Sequence, residues 1–443
     1  MQTIDLYSIF LKHPIVTTDS RNCPSGSIFF ALRGEKFDGN DYIEQALNNG
    51  AAFAISDRAG LLQDNRIIVV DDVLQSLQNL ANYHRKQLNT KVLAITGTNG
   101  KTTTKELIAA ALSTLYPTLF THGNLNNHIG VPLTLLRLKP EHRFAVIEMG
   151  ANHQGEIREL CRIADPDFGL ITNVGKAHLE GFGSFEGVVR TKTELYDYIR
   201  EKGGLLFVNI DNPILKDRSK NAQTIYYGTS QEAFVQGQII DSDSCLEVEY
   251  YPSSDPSPSP SYSPPFVGRG QIKTQLAGNY NFENVLAAIC VAMYWGVGIE
   301  ELNQALANYT PTNNRSQHLK TQRNHLIIDA YNANPSSMQV AFENFLTMKV
   351  SPKMAIIGEM KELGKYAQEE HQRLVDCLYE STIDKVILCG ESFSKSHSIN
   401  PEWMVFKHTP ELLDYLQYEH FSGFHILIKG SRANQLEKTL AFL

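Results

Sequence analysis

The sequence predicts an α/β fold arranged in three domains. Its 443 residues are enough for roughly three domains of ~150 residues each. Short runs rich in β-branched residues alternate with helical patterns along nearly the whole chain, which is typical of stacked α/β domains. We therefore predict an N-terminal α/β domain over residues 1–88, a central domain with a mostly parallel sheet over 89–310, and a C-terminal Rossmann-like α/β domain over 311–443.

In the first domain, apolar β-branched runs predict strands at Ser27–Leu32, Phe53–Ser56 and Ile67–Val70. Helical spacing predicts a short helix over Asp41–Asn49 and a longer one over Val73–Leu88. The longer helix leads toward the central domain.

The other two domains repeat strand–helix units. The central domain closes with a predicted helix at Phe282–Trp295 and contains a Pro/Ser-rich stretch, 251–265, that can hold neither a ladder nor a helix. We interpret that stretch as an exposed loop between two strands. The predicted strands of the two domains are Val92–Thr96, Phe144–Met149, Gly169–Thr172 and Leu205–Val208, then Leu326–Ala330, Met354–Gly358, Lys385–Cys389 and His425–Lys429.

Bulk properties exclude several classes of protein. A formal charge of −8 argues against a nucleic-acid groove as the main binding surface. No apolar run approaches the ~18 residues that a membrane span needs, and the N-terminus lacks a secretory pattern, so we expect a cytoplasmic protein without membrane insertion. The six cysteines form no CxxC pair, which predicts reduced core thiols and neither disulfides nor a zinc site.

The strongest local signal is a phosphate-binding loop between strand Val92–Ile95 and a predicted helix over Lys105–Leu115. Glycines let the backbone N–H groups turn toward phosphates, the lysine adds a positive charge, and a hydroxyl can hold Mg²⁺. Ile95 stands where the broad consensus has glycine, so the loop is a variant. The alternative is an ordinary Gly/Asn turn into a helix. The predicted nucleotide-binding residues are Gly97, Thr98, Asn99, Gly100, Lys101, Thr102 and Thr103.

Two polar side chains follow strands of the same domain. Glu148 closes one predicted strand and His178 lies in the loop after another. Ligands of open α/β sheets gather beyond the carboxyl ends of the strands, so both should face the phosphates, where they are plausible Mg²⁺ ligands. Taken singly, Glu148 could be a surface carboxylate and His178 a satisfied loop histidine.

The loop Gly97–Thr103, together with Glu148, Asn173, His178 and the run Lys192-Thr-Glu-Leu-Tyr196, resembles the Mur ligase family. The resemblance implies ATP as a substrate and two Mg²⁺ sites. It places Thr102 and Glu148 at the first Mg²⁺, and His178 with a CO₂-carbamylated Lys192 at the second. It also makes Lys101, Glu148, His178 and Lys192 the catalytic residues. Without the family resemblance, Lys192 would be interpreted as a solvated lysine on a helix.

Further nucleotide contacts are implied by the same resemblance. Asn281, in Gly278-Asn-Tyr-Asn281, matches the family's adenine-side motif, although histidine more often fills the position of Tyr280. A helix N-cap is the alternative role for Asn281. Arg315 and Asp329 are expected to reach the nucleotide from the third domain after domain closure. Asn314 precedes Arg315 where the family usually has glycine.

The N-terminal segment resembles the uridine-diphosphate-binding domain of the family. The matching runs are Thr18–Arg21, Gly26–Gly34 and Phe37–Gly39, and they imply that Ser20 and Arg21 bind the substrate. Hydroxyl and guanidinium groups suit a diphosphate. The alternative is a polar loop of an α/β domain.

C-terminal motifs narrow the expected substrates. Ile328–Pro335, Gly358–Gly364 with His371, and Lys429–Arg432 resemble the family members that add D-Ala-D-Ala to UDP-MurNAc-tripeptide. We therefore expect a monomeric ligase with those two substrates. The residues to which the resemblance assigns substrate binding are Asn127, Tyr331, Asn334, Lys429 and Arg432. An amino-acid-adding member remains the main alternative. Folylpolyglutamate synthases share the phosphate loop but lack the other motifs, and a phosphate-loop motor or switch is a more distant alternative.

Overall fold

The computed structural model describes residues 2–58, 60, 64–242, 245–253, 268–311, 315, 317–397 and 399–443. Most of the predicted Pro/Ser loop therefore lies outside the described residues. The strands on either side of it, Glu247–Pro252 and Gly270–Lys273, pair antiparallel, as expected for a connection between neighbouring strands. None of the described helices combines the length and the apolarity needed to cross a membrane.

The N-terminal part is a small parallel sheet in the strand order β1-β2-β5-β6 with a separate two-stranded ribbon, β3-β4. Its long last helix begins at the N-cap Asp72, whose carboxylate accepts a hydrogen bond from the Gln75 N–H. The elements are α1 (Thr3–Phe10), β1 (Val16–Thr17), β2 (Ile28–Phe30), β3 (Arg33–Gly34), β4 (Phe37–Asp38), α2 (Ile43–Asn48), β5 (Phe53–Ser56), β6 (Ile67–Val69) and α3 (Val73–Lys86).

The central part is built on a sheet in the order β15-β14-β13-β12-β11-β10-β7-β9-β8, parallel from β8 to β13 and antiparallel beyond. Its elements are β7 (Lys91–Thr96), α4 (Lys101–Leu112), β8 (Thr118–Phe120), α5 (Gly130–Leu135), β9 (Phe144–Glu148), α6 (Glu156–Ala164), β10 (Phe168–Ile171), α7 (Leu179–Phe182), α8 (Phe185–Lys202), β11 (Leu205–Asn209), α9 (Pro213–Arg218), β12 (Gln223–Gly228), β13 (Val235–Asp241), β14 (Glu247–Pro252), β15 (Gly270–Lys273), α10 (Phe282–Tyr294) and α11 (Ile299–Asn308).

The C-terminal part is a third sheet, in the order β16-β17-β21-β18-β19-β20, with only β16 antiparallel to its neighbour. Its elements are β16 (Gln317–Lys320), β17 (His325–Asp329), α12 (Pro335–Thr347), β18 (Lys353–Gly358), α13 (Ala367–Tyr379), β19 (Lys385–Cys389), β20 (Met404–Phe406), α14 (Thr409–Tyr418) and β21 (His425–Lys429). The predicted α/β fold with mostly parallel sheets is confirmed.

Helix α3 joins the first two parts. Leu77 and Leu80 on its apolar face are fully buried in one core with Leu135 of α5 and Ile157 of α6. Burying each such leucine contributes about 2 kcal/mol. Helix α3 thereby lies between the N-terminal sheet and helices α5 and α6 of the central part.

The strand order brings the carboxyl ends of three central strands together. In the central sheet, β7 lies between β9 and β10, so Thr96, Glu148 and Ile171 end side by side. Because all three strands are parallel, the loops that follow them open toward the same edge of the sheet. That edge holds the candidate site.

Several predicted boundaries were wrong. The helix after the phosphate loop begins at Lys101, four residues earlier than predicted, because Gly100 (φ 78°) already occupies its N-cap, and it ends at Leu112. The predicted helix Asp41–Asn49 starts as a 3₁₀ turn over Gly39–Tyr42 and becomes α-helical at Ile43.

All six cysteines are free, but Cys377 is exposed and so is no core thiol.

Candidate active site

A cavity of about 840 Å³ lies beyond the carboxyl ends of β7, β9 and β10. Its walls come from both the central and the C-terminal parts, so the two parts share one site. Among its lining residues are most of those predicted from the sequence: Thr98, Asn99, Gly100, Lys101, Thr103, Asn127, Glu148, His178, Asn281, Arg315, Asp329, Tyr331, Asn334 and Lys429.

The phosphate loop is held in shape by the loop after β10. The Asn173 side chain accepts a hydrogen bond from the Asn99 N–H (2.9 Å) and donates to the Asn99 carbonyl (3.2 Å). The Thr98 hydroxyl accepts from the Gly175 N–H at 2.9 Å, and the Thr172 hydroxyl donates to the Asn99 carbonyl at 2.6 Å. These bonds fix the backbone before any ligand arrives.

Both glycines of this loop are required by space as well as by conformation. A Cβ on Gly97 (φ 143°) would lie 2.0 Å from the Thr172 hydroxyl oxygen. A Cβ on Gly100 (φ 78°) would lie 2.3 Å from Oδ1 of Asn284, on α10. Any larger residue would therefore displace the loop from its supports.

Lys101 stands at the first turn of α4 and folds over its own loop. Its Nζ donates to the carbonyls of Gly97 (2.7 Å) and Thr98 (2.9 Å). Burial lowers the pKa of Lys101 from 10.5 to about 8, with nearby Glu148 opposing and Arg315 adding to that shift. An anion placed at the N-terminus of α4 would meet this amine and the positive end of the helix dipole.

Glu148 ends β9 in a buried position, 1% exposed. Its carboxylate accepts hydrogen bonds from the Thr102 hydroxyl (2.9 Å) and the Asn126 amide (2.8 Å). Its backbone N–H donates to the Thr121 hydroxyl at 2.9 Å. A hydroxyl and a carboxylate that already touch supply the oxygen ligands that Mg²⁺ prefers.

Sequence reasoning missed Lys105, one turn further along α4. Its side chain is fully buried, and its Nζ lies 3.4 Å from the Glu106 carboxylate and 3.8 Å from that of Glu148. Within the described part of the chain, this Nζ has no hydrogen-bond partner. The spacing of two lysines at i and i+4, which places both on one helix face, was the available signal.

His178 and Lys192 both lie against the ring of Phe182. The Lys192 Nζ is 5.4 Å from the Phe182 ring centre, and the His178 ring meets the same ring edge-on at 6.1 Å. Lys192 is only 2% exposed. Burial, followed by the charge of Lys101, lowers the pKa of Lys192 well below its ordinary value. The prediction of a solvated lysine, the alternative reading, is wrong.

The two predicted metal positions differ in how well their residues suit Mg²⁺. Thr102 and Glu148 offer oxygen atoms and fit a hard cation as they stand. His178 and Lys192 offer an imidazole and an amine, so this pair suits Mg²⁺ only once Lys192 carries a carboxylate group. Among the described residues, no three His, Cys, Asp or Glu side chains gather as a metal cluster.

Asn281 faces the cavity but is also tied to its surroundings. Its amide donates to the Ala277 carbonyl at 2.6 Å and its oxygen accepts from the Asn284 amide at 2.9 Å. Asn284 in turn accepts from the Thr104 hydroxyl at 3.0 Å. This chain of amides links the predicted adenine side of the cavity to the helix that carries the phosphate loop.

In the C-terminal part, Tyr331 lies between two guanidinium groups. The Arg315 Cζ is 3.8 Å from the Tyr331 ring centre, and the Arg432 Cζ is 5.3 Å from it. Arg432 also donates to the Tyr331 hydroxyl at 3.4 Å. Nearby, buried Lys429 is paired with Asp329. Asp329 and Lys429 were assigned separately from the sequence, and the structure joins them in one ion pair.

Asn334 connects the two parts directly. Its side chain caps α12 by accepting from the Ser337 N–H at 2.9 Å, and its amide donates to the Asn99 side chain at 2.9 Å. Asn127 has a comparable capping role, because its oxygen accepts from the Gly130 N–H at 2.8 Å at the start of α5. Both residues border the cavity.

Six of the predicted site residues are not among those that line the cavity. Gly97, Thr102 and Lys192 belong to the central part, and Arg432 lies 5.3 Å from the ring centre of Tyr331, which does line the cavity. Ser20 and Arg21 are in the N-terminal part, where Ser20 bonds Gln45 and exposed Arg21 pairs with Asp19. Ser20 and Arg21 therefore form no part of this cavity.

The fold and the cavity define a phosphate-loop nucleotide-binding protein whose site is completed by a second α/β unit. Three family models match the chain: "Mur ligase family, catalytic domain" over residues 13–96, "Mur ligase middle domain" over 95–292 and "Mur ligase, glutamate ligase domain" over 314–432. The chain belongs to the Mur ligase family.

Named relatives cover nearly the whole chain. The UDP-N-acetylmuramoyl-tripeptide--D-alanyl-D-alanine ligase of Bacillus subtilis is 34% identical, covering 96% of this chain and 91% of its own length. A solved MurF from Acinetobacter baumannii superposes with a TM-score of 0.84 at 33% identity, covering 96% and 92% of the two chains. MurF ligase from Thermotoga maritima, solved with ADP, gives 0.83 at 26% identity, covering 98% and 97%.

Proposed function

We propose that this protein is the ATP-dependent ligase that joins D-Ala-D-Ala to UDP-MurNAc-tripeptide, releasing ADP and phosphate. The observation that carries the proposal is the shared cavity, in which Lys101 and Glu148 of the phosphate-loop side face Tyr331 and Asn334 of the C-terminal motif. The names of its relatives, which match along the full chain, support the same reaction.

The chemical problem is one of charge. A carboxylate is a poor acylating group, so the tripeptide's terminal carboxylate first attacks the γ-phosphorus of ATP, ADP leaves, and an acyl phosphate forms. Bringing two anions together is costly, so positioning and charge neutralisation supply most of the catalysis. We assign Lys101, with the N-terminus of α4, to the β- and γ-phosphates, and Arg315, which also lines the cavity, adds a second positive charge.

The amide then forms from the acyl phosphate. The amine of D-Ala-D-Ala attacks the acyl carbon, the C–O bond to phosphate breaks, and the ammonium proton is lost to solvent. Water would destroy the acyl phosphate, so a site closed by both parts is an advantage. Two hydrogen bonds hold the parts together at the cavity. One joins the side chains of Asn334 and Asn99, and in the other the Lys176 backbone N–H donates to the Ser336 hydroxyl at 2.8 Å.

We assign Thr102 and Glu148 to one Mg²⁺ and His178 with Lys192 to a second. The cations supply neutralisation of phosphate charge when bound. For Lys192 we propose carbamylation: its amine nitrogen bonds to the carbon of CO₂ and loses a proton, which leaves an anionic carboxylate. Only the neutral amine can react in this way, and the lowered pKa of Lys192 makes that form available.

The remaining assignments concern the two substrates. We propose that Arg432, Tyr331 and Lys429 receive the D-Ala-D-Ala carboxylate, and that Ser20 and Arg21 contact the uridine diphosphate. Asn281 would form hydrogen bonds with adenine. Asp329, which is paired with Lys429, would contact the nucleotide. We also propose domain limits of 1–88, 89–310 and 311–443, and a monomer that works in the cytoplasm, where both ATP and nucleotide-linked precursors are made.

The experiment that tests the proposal is product mass analysis. Purified protein is incubated with UDP-MurNAc-tripeptide, ATP, Mg²⁺ and either D-Ala-D-Ala or single amino acids. We expect one dipeptide to be added per ADP released, and no turnover without the tripeptide. In a parallel incubation with UDP-MurNAc-dipeptide in place of the tripeptide, addition of a single amino acid would instead identify an amino-acid-adding ligase. ATP hydrolysis that needs neither peptide would identify a motor or switch.

A further inference from the structure

His178 meets a residue of the C-terminal part that the proposed reaction does not use. Its Nδ1 is buried against the carboxylate of Glu362. Both residues have left-handed backbones, with φ of 48° for His178 and 62° for Glu362. Such a conformation costs a non-glycine residue about 1–2 kcal/mol and persists where the surroundings enforce it. Two such residues are therefore held face to face across the boundary between the two parts.

The backbone around the His178–Glu362 pair also makes contacts between the two parts. The Glu180 N–H donates to the Glu362 carbonyl at 3.5 Å. Gly364 (φ 53°) packs so closely on Glu180 that an added Cβ would lie 3.2 Å from Glu180 Cβ and Cγ. The turn 362–364 is thus seated on the turn 178–180 by its main chain as well as by the side-chain pair.

The pair has a definite consequence for the imidazole ring. The Glu362 carboxylate is in ion-pair contact with Nδ1 and favours a ring proton on that nitrogen, which leaves the lone pair of the neutral ring on Nε2. A histidine without such a partner interchanges its two tautomers and rotates more freely. His178 lines the cavity, so the nitrogen left for a ligand belongs to a ring that the C-terminal part has oriented.

We propose that Glu362 is a positioning residue that fixes the tautomer and orientation of His178, and does so only when the turn 362–364 is seated on 178–180. The C-terminal part thereby sets the orientation of a side chain that belongs to the central part. The catalytic consequence rests on the proposed function, since His178 acts there as a ligand, whereas the tautomer itself does not depend on it.

The direct test is ¹⁵N-histidine NMR of the protein without nucleotide or metal, with the His178 signal assigned by comparison with His178→Gln. In the wild type we expect the Nδ1-protonated tautomer. Glu362→Gln keeps an oxygen that accepts from Nδ1 and should preserve it, while Glu362→Ala should give a mixture. The matched control is Glu370→Gln, which weakens the Lys176–Glu370 pair (3.0 Å) at the same boundary without touching His178.

Steady-state kinetics give the second readout. Glu362→Ala should lower kcat roughly 10- to 100-fold with a smaller change in KM for ATP, and Glu362→Gln should recover most of that loss. A wild-type tautomer in Glu362→Ala, or the same tautomer change in Glu370→Gln, overturns the proposal. A wild type that shows the expected tautomer but makes no pentapeptide would count against the proposed function alone.

Discussion

The amide of Asn334 donates to the side chain of Asn99 at 2.9 Å, which ties the N-terminus of α12 to the phosphate loop. The same Asn334 caps α12 through Ser337, so one residue stabilises its own helix and supports the nucleotide loop. The two roles can be separated by mutation, because capping needs only a short side chain.

Asn334→Ser should keep the cap but not reach Asn99. We expect an unchanged free energy of unfolding and a KM for ATP raised about five-fold, the equivalent of one lost hydrogen bond of about 1 kcal/mol. Asn334→Ala should in addition lose about 1 kcal/mol of stability. Asn99→Ser combined with Asn334→Ser should be no worse than either alone. Additive losses would show that the two side chains act separately.

Nucleotide binding should be coupled to proton uptake by Lys101. Its pKa of about 8 is below the ordinary 10.5, so the unliganded amine is largely neutral at pH 8.5. Bound phosphate raises that pKa, so binding at pH 8.5 should take up about 0.7 proton, and almost none at pH 6.5. Calorimetry in buffers of different ionisation enthalpy measures the uptake. Lys101→Met should abolish the difference between the two pH values, and uptake that survives in this variant would assign it to another group.

The effects of mutating Lys105 and Glu148 on the free energy of unfolding should be coupled. The fully buried Lys105 Nζ lies 3.8 Å from the Glu148 carboxylate. Lys105→Met leaves the buried Glu148 carboxylate without that partner and should cost about 3 kcal/mol in urea unfolding. Glu148→Gln combined with Lys105→Met should cost less than the sum of the single changes, by about 1 kcal/mol or more.

A distant buried lysine provides the control for that cycle. Lys353 of the C-terminal sheet is 6% exposed and donates to the Leu346 carbonyl at 2.7 Å. Lys353→Met should be additive with Glu148→Gln. Coupling of similar size in both cycles would show a general loss of stability and not a specific interaction.

Lys192→Ala should lose most of the ligase activity. If Lys192 is carbamylated, short carboxylic acids should restore part of that activity by supplying the missing anionic group, whereas matched amines should not. Protein prepared with ¹³C-bicarbonate should show a carbamate carbon signal that is absent from Lys192→Ala. Full activity of Lys192→Ala without any additive would remove the carbamate from the mechanism.

Much of the fold was predictable because its strands carry their own pattern. Runs such as Leu205–Val208 and Val386–Cys389 are continuously apolar, as buried parallel strands are, and the structure places strands there within a residue. The start of α4 was predicted four residues late because Thr102 and Thr103 are weak helix formers. Their position at a helix N-terminus depends on Gly100, which local propensity does not weigh.

The site was predictable where a residue acts next to its neighbours in sequence. The phosphate loop and Glu148 follow from strand ends and glycines alone. By contrast, the Glu362–His178 pair and the Lys105–Glu148 contact join positions that are far apart in the chain or on a buried helix face. Such pairings are set by how the sheets pack, and a single sequence carries no local pattern for them.

The central claim is that the cavity makes an acyl phosphate from the tripeptide's terminal carboxylate. The most direct measurement uses tripeptide substrate labelled with ¹⁸O in that carboxylate, with ³¹P NMR of the released phosphate. Because the carboxylate oxygen becomes the bridging atom and the C–O bond later breaks, each phosphate should carry one ¹⁸O. Unlabelled phosphate, formed while the amide product accumulates, would contradict the account.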